Sequence, residues 1–177
     1  MSETEKQTAP DNREWELGLS RIRKAHGYSD AGGQKKMYEQ AHQAEALAKE
    51  ILKLSRSTLL LHLRFMETAL VRFVPGRELL TKEIATDGHF LYYNSAHICR
   101  QFKKARELPV RDYLHVVFHC LFRHLFVGRG INQPLWDLSC DIAVENLISE
   151  LDLRPLYCER QENQKWLIEK LKKELPR

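Results

Sequence analysis

The 177-residue chain lacks the features that would place it outside ordinary globular proteins. None of its four cysteines, Cys99, Cys120, Cys140 and Cys158, forms a C-x-x-C pair. That excludes the usual thiol metal clip and dithiol redox motif and leaves reduced thiols in a cytoplasmic protein as the simplest expectation. No run approaches the roughly 18–20 apolar residues of a membrane span, so no membrane association is expected. The polar first twelve residues contain no apolar segment of a secretory signal. There is no internal repeat and no low-complexity stretch. Charge of one sign is also scarce: the formal net charge of +4 is too mild to argue for nucleic acid or a membrane surface. What remains is 43% hydrophobic and 29% charged residues, the composition of a domain with a real core.

Periodicity and breakers divide the chain. Residues 1–12 read as a disordered tail, and residues 13–177 as a single domain. Within it, 13–54 are N-terminal helices, 55–150 the core and 151–177 a C-terminal helical segment. Helices are expected over 13–25 and 34–54, with Ser57 and Thr58 capping or interrupting before a buried helix over 59–74 that carries Leu59, Leu61, Leu63, Phe65, Met66, Leu70 and Phe73. Asp87-Gly88 between two short apolar runs signals a hairpin of two antiparallel strands, 79–86 and 90–93. Asn94 or Ser95 caps a helix over 96–105, whose Arg100, Lys103 and Lys104, with Arg106, read as a solvated face rather than a nucleic-acid patch. Pro109 and Gly128 bracket a buried central helix, 110–127. Helices over 134–149 and 162–175 follow, the last with Trp166, Leu167, Ile168 and Leu171 inward.

The central helix carries the chemistry. His115 and His119 are four residues apart, so both rings lie on one face and can aim at one point, as in helical zinc sites. The catalytic form of this spacing, H-E-x-x-H, has a glutamate general base after the first histidine; here that position is Val116. A third protein ligand is required. His124 sits about 180° from His115 at 100° per residue, and reaches the site only if the helix breaks after His119. Asp137, Asp141 and Glu145, spaced by four, form a carboxylate ladder on the next helix. Asp141 is the first choice of third ligand and Glu145 the second, and the one left over can accept the free ring N–H of a ligating histidine. Without a metal, the same histidines would hydrogen-bond to Asp141 and Glu145.

Several segments taken together carry a family likeness. Thr86-Asp87-Gly88, Tyr92-Tyr93-Asn94, His115-x-x-x-His119-Cys120-x-x-Arg123-His124 and Trp136-Asp137-x-x-x-Asp141 resemble, in order and spacing, the metallopeptidase-like domain that precedes a von Willebrand factor A-like domain in many bacterial proteins. The likeness covers roughly residues 55–150. It implies a mainly helical α+β, zincin-like domain, with a small antiparallel sheet beside a buried metal-site helix. It also implies zinc held by His115, His119 and an acidic ligand at Asp141, and a von Willebrand factor A-like domain or another protein or peptide as partner. The departure at Val116 implies a pseudoenzyme, a binding or regulatory module without peptidase activity. The alternatives are an active zinc hydrolase using Asp112 or Glu145 as a displaced base, and a metal-free helical interaction module. The expected second domain does not occur within these residues, so the sequence reads either as a piece of a longer protein or as a module standing alone.

Overall fold

The computed structural model describes residues 31–76, 81–126 and 130–174. The tail and the helix expected over 13–25 lie outside the described residues, as do the first residues of the expected 79–86 strand. The chain divides into two units, residues 1–40 and 41–177. The sheet and every helix after the first belong to the second unit.

Helix α1 (Ala31–His62) is continuous through Ser57 and Thr58, where an interruption was expected. Hydroxyls inside a helix can be satisfied by the preceding turn. Thr58 Oγ1 donates to the Leu54 carbonyl at 2.9 Å and Ser55 Oγ to that of Ile51 at 2.8 Å, so these residues do not compete with the ladder. The break falls later, at Leu63, followed by a 3-10 turn (Arg64–Met66) and a single helical turn, α2 (Glu67–Leu70). The expected long helix over 59–74 is therefore absent. Leu59, Leu63, Met66, Leu70 and Phe73 are buried as expected, but Leu61 and Phe65 are exposed, at 71% and 82%.

The sheet is mixed rather than purely antiparallel. Strands β2 (Ile84–Thr86) and β3 (Phe90–Tyr93) form the expected hairpin. A two-residue strand, β1 (Val74–Pro75), pairs parallel with the other edge of β3, giving the order β1-β3-β2. Asp87 organises the turn. Its Oδ1 accepts the backbone N–H groups of His89 and Phe90 at 2.8 and 2.7 Å, and its Oδ2 accepts the Tyr92 hydroxyl at 2.8 Å. These bonds hold its carboxyl down at about 2. Gly88 supplies the left-handed residue, φ 93°.

Helix α3 (Ser95–Lys104) is capped by Asn94, whose Oδ1 accepts His97 N–H at 2.9 Å. Helix α4 (Glu107–Leu121) starts before Pro109, which sits in the first turn where an amide is dispensable. Helix α5 (Gln133–Glu150) is capped by Asn132 through Leu135 N–H at 3.2 Å. A 3-10 turn (Arg154–Leu156) leads to α6 (Glu159–Glu174). Leu114, Val117 and Phe118 of α4, Val144 and Ile148 of α5, Ile51 and Leu59 of α1, and Leu91 and Tyr93 of β3 form the core.

Two expectations about apolar faces fail. The central helix stops at Leu121 rather than running to residue 127, leaving Leu121, Phe122, Leu125 and Phe126 about half exposed. On α6, Trp166 and Leu167 are exposed, not inward. The described inward side chains of α6 are polar: Gln161 is buried, Arg160 reaches Asp112, and Gln164 reaches Arg111; Ile168 and Leu171, also expected inward, lie outside the described side chains. Among the described residues no helix is long and apolar enough to cross a membrane.

Candidate metal centre

Helices α4 and α5 face each other through a ladder of polar residues spaced by four. Arg111, His115 and His119 lie along one helix, and Glu145, Asp141 and Asp137 run in the opposite sense along the other. Arg111 meets Glu145, His115 lies between Glu145 and Asp141, and His119 meets Asp141.

At the inner end Arg111 is fully buried. Its Nε donates to Glu145 Oε2 at 2.8 Å, and its remaining nitrogens donate to Leu156 O, Ser149 Oγ and Gln164 Oε1 at 3.0–3.1 Å. A buried guanidinium is tolerable only with its donors satisfied and its charge matched. The carboxylate's other oxygen, Oε1, lies 2.9 Å from His115 Nδ1. Burial alone would raise the Glu145 carboxyl, but the His115 hydrogen bond and the Arg111 charge outweigh it and bring it down to about 2. An ionised Glu145 can only accept, so His115 donates to it through Nδ1–H and turns Nε2 to the site.

His115 Nε2 lies 2.9 Å from His119 Nε2 and 3.4 Å from Asp141 Oδ1, and His119 Nε2 lies 3.2 Å from the same oxygen. Tetrahedral zinc, with ligand bonds of about 2.0–2.2 Å, has ligand–ligand edges of about 3.3–3.6 Å, so this triangle approaches one face of such a site, with its His115–His119 edge the short one. His115, His119 and Asp141 form a group that could hold a metal ion. Asp141 was the first choice of third ligand from sequence; Glu145 takes the other role foreseen for it, accepting a histidine N–H. Burial, with the neighbouring His115 and His124, outweighs Asp141 and Asp137 and lowers His119 to about 4. Its ring is therefore neutral at neutral pH, as a ligand must be. Two ring nitrogens 2.9 Å apart need a proton or a cation between them.

His124 comes closer than the sequence suggested. The expected unbroken helix ends in a left-handed residue, Arg123 (φ 60°), and a 3-10 turn (His124–Phe126) folds back. His124 Nδ1 thereby lies 3.4 Å from Nδ1 of His119, on the side of that ring away from the triangle. Trp136 Nε1 donates to the His124 carbonyl at 3.2 Å and fixes the turn. The break thus brings His124 in as a support for His119. Asp137, the outermost rung, is exposed and accepts Gln133 Nε2 at 2.7 Å.

The position after the first histidine is absorbed into packing: Val116 is 7% exposed and belongs to the core. The two acidic residues considered as displaced bases are engaged elsewhere. Asp112 is buried against Arg160 at 2.7 Å, and Glu145 is held by Arg111 and His115. In the basic run, Lys104 pairs with Glu159 at 3.3 Å and Arg106 lies over the Phe102 ring. Arg111, Arg160 and Gln164 were not foreseen. For Arg111 a signal existed: it precedes His115 by four residues, as His115 precedes His119, so it shares their face.

No protein-family model, no curated protein and no solved structure matches the chain.

Proposed function

We propose that the chain is a zincin-like, metallopeptidase-like module that holds zinc through His115, His119 and Asp141 and lacks peptidase activity. The observation that carries this reading is the convergence of two histidine Nε2 atoms and one Asp141 oxygen within 3.4 Å of one another, with His115 oriented from behind by Glu145. Nitrogen and carboxylate donors in a tetrahedral half-shell suit zinc. A zinc ion there would supply Lewis acidity, with a fourth position facing the solvent side on which Asp141 is 57% exposed.

What the chain's own residues withhold is the proton chemistry. Peptide hydrolysis needs a carboxylate base within hydrogen-bond reach of the attacking water. Val116 offers no such group. Asp112 is tied to Arg160, and Glu145, at about 2, is a weak base already occupied by two donors. The module accordingly binds or regulates, with a von Willebrand factor A-like domain, or another protein or peptide, as the partner class. The four unpaired cysteines fit a reducing, cytoplasmic setting.

Metal content per chain, measured by mass spectrometry on tag-free protein beside His119→Ala, tests this. About one zinc per wild-type chain and none in the variant is the expected result. No metal in either, with equal stability, would overturn the metal reading. Chelator-sensitive peptide cleavage that His119→Ala abolishes would overturn the inactive one.

A further inference from the structure

A second feature lies on another side of α4. A cavity of about 790 Å³ opens between the segment after α1 and the C-terminal end of α4, within the range of sites that enclose small molecules. Phe65, Phe73, Leu121 and Phe126 are among its walls. Phe65 is 82% exposed and Phe126 57%, so large apolar surface faces this space instead of the core. Two guanidinium groups, Arg72 and Arg123, line the same cavity, and among the described residues neither is paired with a carboxylate. Arg123 is also the residue held left-handed at the break in the helix, a strained conformation of the kind found at binding sites.

We propose that this cavity binds a fatty acid, with its alkyl chain against the aromatic and aliphatic walls and its carboxylate on Arg72 and Arg123. Charge complementarity selects an anion, and the walls select an apolar body. The lining also argues against a peptide. Among the described residues, its polar side chains apart from the two arginines are Thr68 and Cys120. A peptide buried there would bring several backbone N–H and C=O groups with too few partners, whereas a fatty acid has one polar end. The site is independent of the proposed metal, whose ligands do not line it.

Calorimetric titration of the full chain with decanoate, below its micelle concentration, tests the proposal against 1-decanol and a free-acid tripeptide, N-acetyl-Leu-Leu-Phe. Expected is saturable binding of about one decanoate per chain, tightening about three- to fourfold per added methylene from octanoate to dodecanoate. Replacing the carboxylate by the alcohol weakens binding about tenfold or more, as does combining Arg72→Gln with Arg123→Asn, whose new side chain tolerates the left-handed backbone. Ala69→Trp, which intrudes on the cavity, weakens binding and leaves metal content unchanged. The proposal is overturned by absence of saturable binding, by equal affinity for acid and alcohol, by indifference to the paired arginine substitutions, or by binding of the tripeptide alone.

Discussion

The Oε1 atom of Glu145 lies 2.9 Å from Nδ1 of His115, while the same carboxylate's Oε2 lies 2.8 Å from Nε of the buried Arg111. One acidic side chain thus both neutralises a buried cation and orients a histidine of the candidate metal site. Glu145→Gln keeps the shape and removes the charge. Metal affinity is expected to fall about 10–100-fold, the usual effect of losing a histidine's carboxylate partner. Stability is expected to fall by about 3–5 kcal/mol, because Arg111 is left uncompensated. Replacing both residues, Arg111→Met with Glu145→Leu, costs less than Glu145→Gln alone. Urea unfolding of the two variants beside the wild type measures this, and a double variant less stable than the single one would count against it.

Acid sensitivity follows from the same site. His119 titrates at about 4 in the folded chain against an ordinary 6.5, so between those values the unfolded chain binds a proton that the native state refuses. Stability therefore falls as pH drops from 6.5 to 4. Glu145, lowered from 4.5 to about 2, adds a second loss as pH falls from 4.5 towards 2. Urea midpoints of chelator-treated protein at about pH 7.5, 6 and 4.5 should decline, and those of His119→Gln should decline less over the same span. Parallel slopes for the two proteins would refute the assignment to His119.

Two left-handed residues give predictions of opposite sign. Gly88 has φ 93°, and a Cβ there would stand 2.9 Å from Phe126 Cζ. Gly88→Ala is expected to cost about 1–3 kcal/mol from backbone strain and that contact. Arg123, at φ 60°, already bears such strain, and Arg123→Gly is expected to stabilise by about 0.5–1 kcal/mol. Thermal melts of the two variants decide the matter, and shifts of equal sign would contradict it.

Val116→Glu supplies the missing carboxylate but places it in the core, since Val116 is 7% exposed. The expected outcome is a loss of about 2–4 kcal/mol without chelator-sensitive peptide cleavage. Cleavage gained at undiminished stability would mean that the base alone was missing and that the surroundings still accommodate it.

Local chemistry was what the sequence made legible. Asp87-Gly88, a cap at Asn94 or Ser95, and the four-residue spacing of His115 with His119 and of Asp141 with Glu145 each state their geometry within a few residues. The missed features depend on distant partners. One exception is local: Ser57 and Thr58 were expected to cap or interrupt a helix, but the Thr58 hydroxyl is satisfied by the preceding turn of α1. The apolar run through Phe126 suggested one helix. Its break at Arg123 is held by Trp136, twelve residues beyond His124. The polar contacts of α6 could not be read from its own periodicity, because they answer two charges elsewhere, Arg111 and Asp112, which meet Gln164 and Arg160.

The ladder between α4 and α5 is graded along its length. Its Arg111 end is dry and anchored by five hydrogen bonds, whereas Asp141 and Asp137 stand at a wet end. A vice clamped at one jaw opens only at the other. Whatever enters or leaves between His115 and His119 can therefore do so through motion of a single exposed carboxylate, while the hinge end keeps the two helices in register. An ion held there would exchange at the exposed Asp141 end without unfolding of the buried Arg111 end.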